Sequence, residues 1–599
     1  MIAKLPLLLL SISALFCKVK IFAQKASSTY ILDMVHNNPG EPLTQSKFNN
    51  PQQLAQFGYT GKVVNDFTFA HAAITFKKLD STIFPSGSKE LAWVKNAAEN
   101  VRKQIKEAHA AGIKIYYFTD IIVLPKKLVS IYKNEICDKN GKISFERSKT
   151  LEIHKIMLDE LFETFPDLDG LVIRTGETYL NNVPYHTGNG PITNGEASHI
   201  KLIQLLREEV CVKRNKTIFY RTWSFGGMHD NADYYLNVTN NIQEHPQLIF
   251  SIKHTQGDYH RTFNFNPTLG KGKHAQIVEV QCQREYEGKG AYPNYVMDGV
   301  INGFEEYSTI KPQHENKCLN DIRNNPNFKG VWSWSRGGGW VGPYIKNEFW
   351  CKLNAYVISH WAANTQQTEE QVFNQFMQEN GIEKEHQKTF RNLCLLSAKA
   401  VLRGHNSASL PFENDWVWWM RDEFLAGIDS TSGINTNSSE GWLYQAFSNY
   451  YNNGLLTKAI DEKYESVKIW KEIVSLSKQI KMTNIEDQQY LYVSSQYGLL
   501  LHQIIAEGWN IMALGFTGDK TGVYAKEKLA IAIKKYDQYW KNFESFKASN
   551  IQSASLYKPY AFMYIGPTYH LTKGMAASID KYRKIIQTTS FTATKKSVY

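Results

Sequence analysis

Two runs of β-forming residues, LIFSIK (Leu248–Lys253) and AQIVEVQCQ (275–283), each end in or lead into a carboxylate. The carboxylates are Asp258 and Glu279, and Lys253, His254, His260 and Arg261 stand close by in sequence. A third, Glu177, follows the apolar run of DGLVIRTGETY after a Thr-Gly turn. Breaking a glycosidic bond needs one protonated carboxyl to serve the leaving oxygen and one carboxylate to activate water or attack carbon. Partial burial would raise the pKa of Glu177 and suit it to the acid role. Asp258 and Glu279, if they flank one water, could hold it in line and take its proton. Arg221 and Lys253 are costly to bury without an anion. They therefore either pair with Asp258 and Glu279 as a structural network or bind a substrate carboxylate, Arg221 through a bidentate fork.

Such residues must be carried to one place by a scaffold. From about Ser28 to Trp340 the chain repeats a short β-branched or aromatic run, a polar loop and a helical pattern. The runs are Tyr30–Val35, Lys62–Phe67, Ile113–Phe118, Gly170–Arg174, Thr217–Trp223, Leu248–Lys253, Gln276–Gln281 and Gly330–Ser335. Eight such units predict an α/β fold, a (β/α)8 TIM barrel, over residues 28–348. The absence of a phosphate loop argues against an open doubly wound sheet. Reacting groups on a barrel gather just after each strand. Those positions hold His36 and Asn37, Asn65 and Asp66, Thr119 and Asp120, Glu177, Arg221 and Trp223, Lys253 and Asp258, Glu279, and finally Arg336 and Trp340. Carboxylates, cations and indoles facing one cleft suit carbohydrate chemistry.

After about Phe349 long helical patterns dominate, among them Glu369–Glu379, Glu385–Arg403, Ala459–Ile480, Asp487–Ala513 and Ala525–Phe546, so 349–599 reads as an all-α C-terminal domain. Its aromatic stretch PFENDWVWWMRDEF (Pro411–Phe424) is either a sugar platform or interface core. A homodimer through this domain is one partner arrangement it allows.

Residues 1–24 have the layout of a cleaved secretory signal: a lysine, an apolar run too short for a comfortable span, then small residues near Ala23. Phe16 stands where a lipoprotein anchor at Cys17 would want a small residue. A periplasmic or secreted location follows, with no second segment able to cross a bilayer. The remaining cysteines are scattered, with no CxxC and no metal-ligand spacing, and predict no particular disulfide. His36, His229, His254 and His260 form no HxH or HExxH pair, so neither a metal nor a cofactor is expected. The net charge of +11 is spread evenly. That pattern favours an acidic polysaccharide over nucleic acid as partner, or simply a solvated basic surface.

These segments also carry a resemblance. SIKHTQGDYH, VEVQCQREYEGKG, GLVIRTGE, AGIKIYYFTD, FYRTWSF and GGGWVGP resemble, in order and wording, segments of the α-glucuronidases of glycoside hydrolase family 67. The likeness runs from about residue 30 to 375. It implies Glu177 as general acid, Asp258 with Glu279 as the base pair, Arg221 and Lys253 as binders of a uronate carboxylate, and Trp340 as a stacking wall. It also implies an inverting, metal-free reaction. The chain departs from the family in three places: the barrel is expected directly after the signal instead of behind an α/β domain, Asn37 stands where an aromatic residue belongs, and TYLNNVPYHTGNGP follows Glu177.

The expected function is thus a secreted glycoside hydrolase that removes a terminal α-linked uronic acid, glucuronate by resemblance, from an oligosaccharide. His36, Asn65, Trp223 and Trp340 would contact the sugar. Two alternatives stay open: a retaining glycosidase with Glu279 as nucleophile, and a carbohydrate-binding protein without turnover. Carboxyl separation separates inversion from retention.

Overall fold

The computed structural model describes residues 29–588 except 40, 225–226, 262, 309–315, 339–342, 407–441 and 556–574. The signal segment, Cys17, Trp340 and Pro411–Phe424 therefore lie outside the described residues.

Parallel strands close into a barrel in the order of the chain, with the last paired to the first. They are β1 (Tyr30–His36), β2 (Gly61–Val64), β3 (Lys114–Thr119), β4 (Gly170–Ile173), β5 (Thr217–Arg221), β6 (Leu248–Lys253), β7 (Ala275–Gln281) and β8 (Phe328–Gly337). Each of the eight predicted runs overlaps one strand. The second is shorter than Lys62–Phe67, because Phe67 and Phe69 have φ of 59° and 48° and turn the chain out of the sheet.

Alternation along each strand divides the side chains between two cores. Leu32, Met34, Val63, Tyr116, Phe118, Val172, Phe219, Ile249, Ile277, Trp332 and Trp334 fill the barrel interior. The opposite parity, such as Ile31, Val278 and Val280, packs outward against the helices. A barrel of eight strands is just wide enough for side chains to fill, so chemistry is left to the rim.

The helices fit this division. Lys89–Ala110 starts where Ser88 Oγ accepts Leu91 N–H at 3.1 Å, and it buries Val94, Ala98, Val101, Ile105 and Ala108 as one stripe. A ribbon of two residues a side, Leu124–Pro125 with Thr187 and His186, ties the loops after β3 and β4. Nothing in the sequence pattern announces so short a pairing.

Helix Phe349–Ala363 is buried on nearly every face and joins the barrel to the helical region. Asn354 Nδ2 donates to the carbonyls of Cys282 at 3.1 Å and Asn294 at 3.0 Å. Beyond it Gln387–His405, Leu456–Ser477, Ile485–Thr521 and Lys526–Ser549 pack together, close to the predicted helices. Ile485–Thr521 is long and apolar enough to cross a membrane, but 83% of its apolar window is buried inside the protein, as in a core helix. Cys137, Cys211, Cys282, Cys318, Cys351 and Cys394 are all buried and unbridged.

Candidate active site

The inward positions at the carboxyl ends of the strands meet in one polar layer above the Trp332 and Trp334 indoles. Three ion pairs organise it. On β5 and β7, Arg221 Nε and Nη2 donate to Glu279 Oε1 and Oε2 at 2.9 and 2.8 Å, and Ser251 Oγ of β6 donates to Oε1 at 2.8 Å. After β3 and β4, Arg174 grips Asp120 through Nε and Nη2, and Tyr179 N–H donates to Asp120 at 2.9 Å. From β6, Lys253 Nζ donates to Asp258 at 2.5 Å, while Tyr259 N–H and the Tyr286 hydroxyl donate to the same carboxylate.

Aromatic rings shield these charges. The Lys253 ammonium sits 3.7 Å from the centre of the Trp223 ring, with Tyr259 and Trp334 on its other sides. Arg221 lies over Phe118, Trp332 and Trp334. Ring faces and carboxylates together offset the cost of holding these cations in a low-dielectric wall.

Titration follows these surroundings. Burial pushes the Asp258 carboxyl up, but the Lys253 ammonium, His260 and two hydrogen bonds outweigh it and hold the pKa well below the carboxylate range. For Asp120 burial wins over Arg174 and the pKa is raised. His36 is driven down to about 3, first by burial and then by Arg221, Arg174 and Lys253, so it is neutral at ordinary pH. The Tyr179 hydroxyl is pushed up by burial first and then by the Glu177 carboxylate beside it.

All of the sequence-predicted site residues but Trp340 lie among the described residues. Glu177 follows β4 and is half-buried, against Tyr179 and within the field of Arg221. His36 stacks on Trp334 with ring centres 4.7 Å apart and lies 3.0 Å from Asn65 Nδ2. Asn37 is buried and structural: its Nδ2 donates to Asn65 O at 2.7 Å, and its Oδ1 accepts from Thr44 N–H. Trp223 covers Lys253. Trp340 lies outside the described residues.

Three expectations need correction. Glu279 does not stand beside a water: it is 0% exposed and both oxygens are taken by Arg221 and Ser251. It shares the inward parity of Ile277 and is followed inward by Gln281, so it lies one layer below the rim. That burial also removes it as the nucleophile of the retaining alternative. The Arg221 fork is spent on Glu279 and cannot clasp a substrate carboxylate bidentately, which is the structural-network alternative. Lys253 is likewise paired, with Asp258.

A residue that spacing passed over stands at the mouth. Glu285, in the loop after β7, is half-buried, and its Oε2 and Gln281 Nε2 both lie 2.9 Å from where a Cβ on Gly338 would be. Its backbone N–H donates to Gln281 Oε1 at 2.8 Å, and its charge reaches Tyr259. The signal was present: QREYEG offers an acid beyond the strand end, where a rim residue must be.

Polar atoms without hydrogen-bond partners also face this layer. Asn65 Oδ1, Tyr259 Oη, Gln281 Nε2 and Trp334 Nε1 are buried and unsatisfied among the described residues. Arg174 and Arg221 each keep Nη1 out of their ion pairs. Orphaned buried polar groups are rare and costly, and several converging on one indole-lined mouth suit a ligand with many hydroxyls.

For metals, Glu383, Glu385 and His386 bring ligand atoms within 4.8 Å of one another, on the surface of the helical region. In the barrel, His229 faces Thr222 Oγ1 at 3.0 Å and the Thr255 carbonyl at 3.1 Å, and His260 stacks on Tyr286.

No family model and no curated protein sequence matches the chain. Among solved structures it is similar to a GH138 enzyme described as targeting pectin rhamnogalacturonan II. The TM-score is 0.56 and the identity 11%, over 96% of this chain and 69% of that one. That likeness covers barrel and helical region together and shows a shared fold. CpGH84D also aligns, at 11% identity over 94% and 76% of the two chains with a TM-score of 0.38. So does a mutant O-GlcNAc hydrolase of Thermobaculum terrenum, at 9% identity over 94% and 95% with a TM-score of 0.32.

Proposed function

We propose that this chain is a glycoside hydrolase that releases a terminal α-linked uronic acid from an acidic oligosaccharide outside the cytoplasm. The observation that carries the reading is the ring of unsatisfied buried polar atoms over indoles, with half-buried Glu177 on its edge. The fold shared with a GH138 enzyme said to target a pectin supports an acidic plant glycan as the class of substrate.

Glu177 is the general acid and protonates the leaving oxygen. Glu285 takes the part first read for Glu279, removing the proton of the attacking water, and Asp258, held ionised by Lys253, steadies that water. Inversion follows if the carboxyls of Glu177 and Glu285 stand about 6.5–9.5 Å apart, leaving room for water. Arg174 Nη1 and Arg221 Nη1 offer single hydrogen bonds to the uronate, whose charge the Lys253 ammonium also favours. The resemblance to family 67 makes glucuronate the first sugar to try.

The test is hydrolysis of a panel of uronic oligosaccharides, with proton NMR following the anomer first released. Glu177→Gln and Glu285→Gln should each lower kcat by about 10²–10⁴-fold while substrate still binds. Full activity in either variant, or a first product of retained configuration, would sink the corresponding assignment. Binding without turnover of any glycan would favour the silent binding protein.

A further inference from the structure

A cleft of about 540 Å³ lies between residues 45–48, residues 345–349 and the first turn of helix Ile485–Thr521. Arg336 lines it. A bulge between Met34 and Val35 shifts the register so that Arg336 pairs with outward-facing Val35, and the side chain leaves the barrel interior.

Arg336 is only 6% exposed. Its Nε is in an ion pair with Glu348 Oε1 at 3.2 Å that is out of line for a hydrogen bond, and Nε and Nη1 are both buried without a hydrogen-bond partner among the described residues. Glu348 is shared, since its Oε2 accepts Lys47 N–H at 3.1 Å. A desolvated guanidinium with donors unspent is expensive and wants an acceptor that can enter from the cleft.

The cleft suits such an acceptor. Lys47, Lys346 and Lys352 line it with Arg336, so cations outnumber the carboxylates of Glu348, Glu486 and Asp487 by one. Asp487 is occupied, accepting from Asn347 Nδ2 at 3.0 Å. Phe57 and Ile345 supply apolar wall for a ring face. The volume falls within the range of small-ligand sites.

We propose that this cleft is a second glycan-binding site, which takes a carboxylate-bearing sugar unit with its carboxylate on Arg336 and its hydroxyls among the lysines. It would hold a second stretch of an acidic chain while the barrel mouth works on an end. The ligand class rests on the acidic-glycan reading above; the site itself does not.

Titration calorimetry of the full chain with tri-galacturonate and, as neutral control, maltotriose tests this. Lys47→Glu with Lys346→Glu changes two exposed side chains, so the thermal midpoint should hold. Expected is a loss of at least tenfold in one tri-galacturonate binding event, with hydrolysis of short substrates unchanged. Unaltered tri-galacturonate binding in the double variant, or maltotriose binding that the same substitutions weaken as much, overturns the proposal. The two readings fail separately. A chain that hydrolyses nothing yet loses tri-galacturonate through these lysines keeps the cleft and loses the hydrolase. A chain that hydrolyses while its isotherm ignores them does the reverse.

Discussion

Glu279 and Glu285 belong to one short segment, and the physics around them differs entirely. Glu279 points inward from β7, meets Arg221 of β5 over the intervening β6 and is sealed by Ser251. Glu285 lies beyond the strand, half-buried beside Gln281. Sequence spacing marks both as acids near a cleft, but which one reaches the rim depends on how far β7 continues, and no run of apolar residues fixes that within one layer. A buried pair loses about 3–5 kcal/mol when one partner goes, because the other charge is left alone. Glu279→Gln should therefore lower stability by roughly that amount. The double change Arg221→Met with Glu279→Leu should cost less than Glu279→Gln alone. Urea unfolding checks both, and a double variant weaker than either single would contradict the pairing argument.

At the scale of elements, the seam between β1 and β8 closes the barrel around another buried acid. Asp33 faces outward with Ser333 and Ser335, whose hydroxyls donate to its oxygens at 2.5 and 2.8 Å. Burial outweighs those donors and raises the Asp33 carboxyl to about 7. Between the ordinary value of 3.8 and about 7 the folded chain keeps a proton that the unfolded chain has released. Stability from this group is full below the lower value and drains away as pH rises through the upper one. The span corresponds to on the order of 4 kcal/mol as an upper bound. Measured against Asp33→Asn, wild type should lose stability from pH 4.5 to pH 7.5; a difference that does not move with pH would count against it. The eight strands were legible because each is apolar along its length and closes on polar residues. The bulge that turns Arg336 outward was not, since it depends on the register of two strands about 300 residues apart in sequence.

The whole molecule is one packed body in the neighbourhood of the mouth. Tyr490 donates to the Gly290 carbonyl at 3.0 Å, Trp350 Nε1 to Ser494 Oγ at 3.0 Å, and Arg391 clasps Glu369, which also accepts from Tyr295. Helix Phe349–Ala363 packs Phe349, Trp350 and Tyr356 on Phe376 and Phe390 and would expose them if the chain after it were cut away. A chain ending at residue 363 should accordingly be insoluble or molten, and the full chain should unfold in a single calorimetric transition. Two well-separated transitions would show that barrel and helices stand independently. The change of character near Phe349 was plain from periodicity, whereas how tightly the two regions lock depends on contacts between distant residues that periodicity does not encode.

The six buried thiols have a practical corollary. No disulfide joins these six in the fold, so production in a reducing bacterial cytosol, without oxidases or isomerases, should give folded protein.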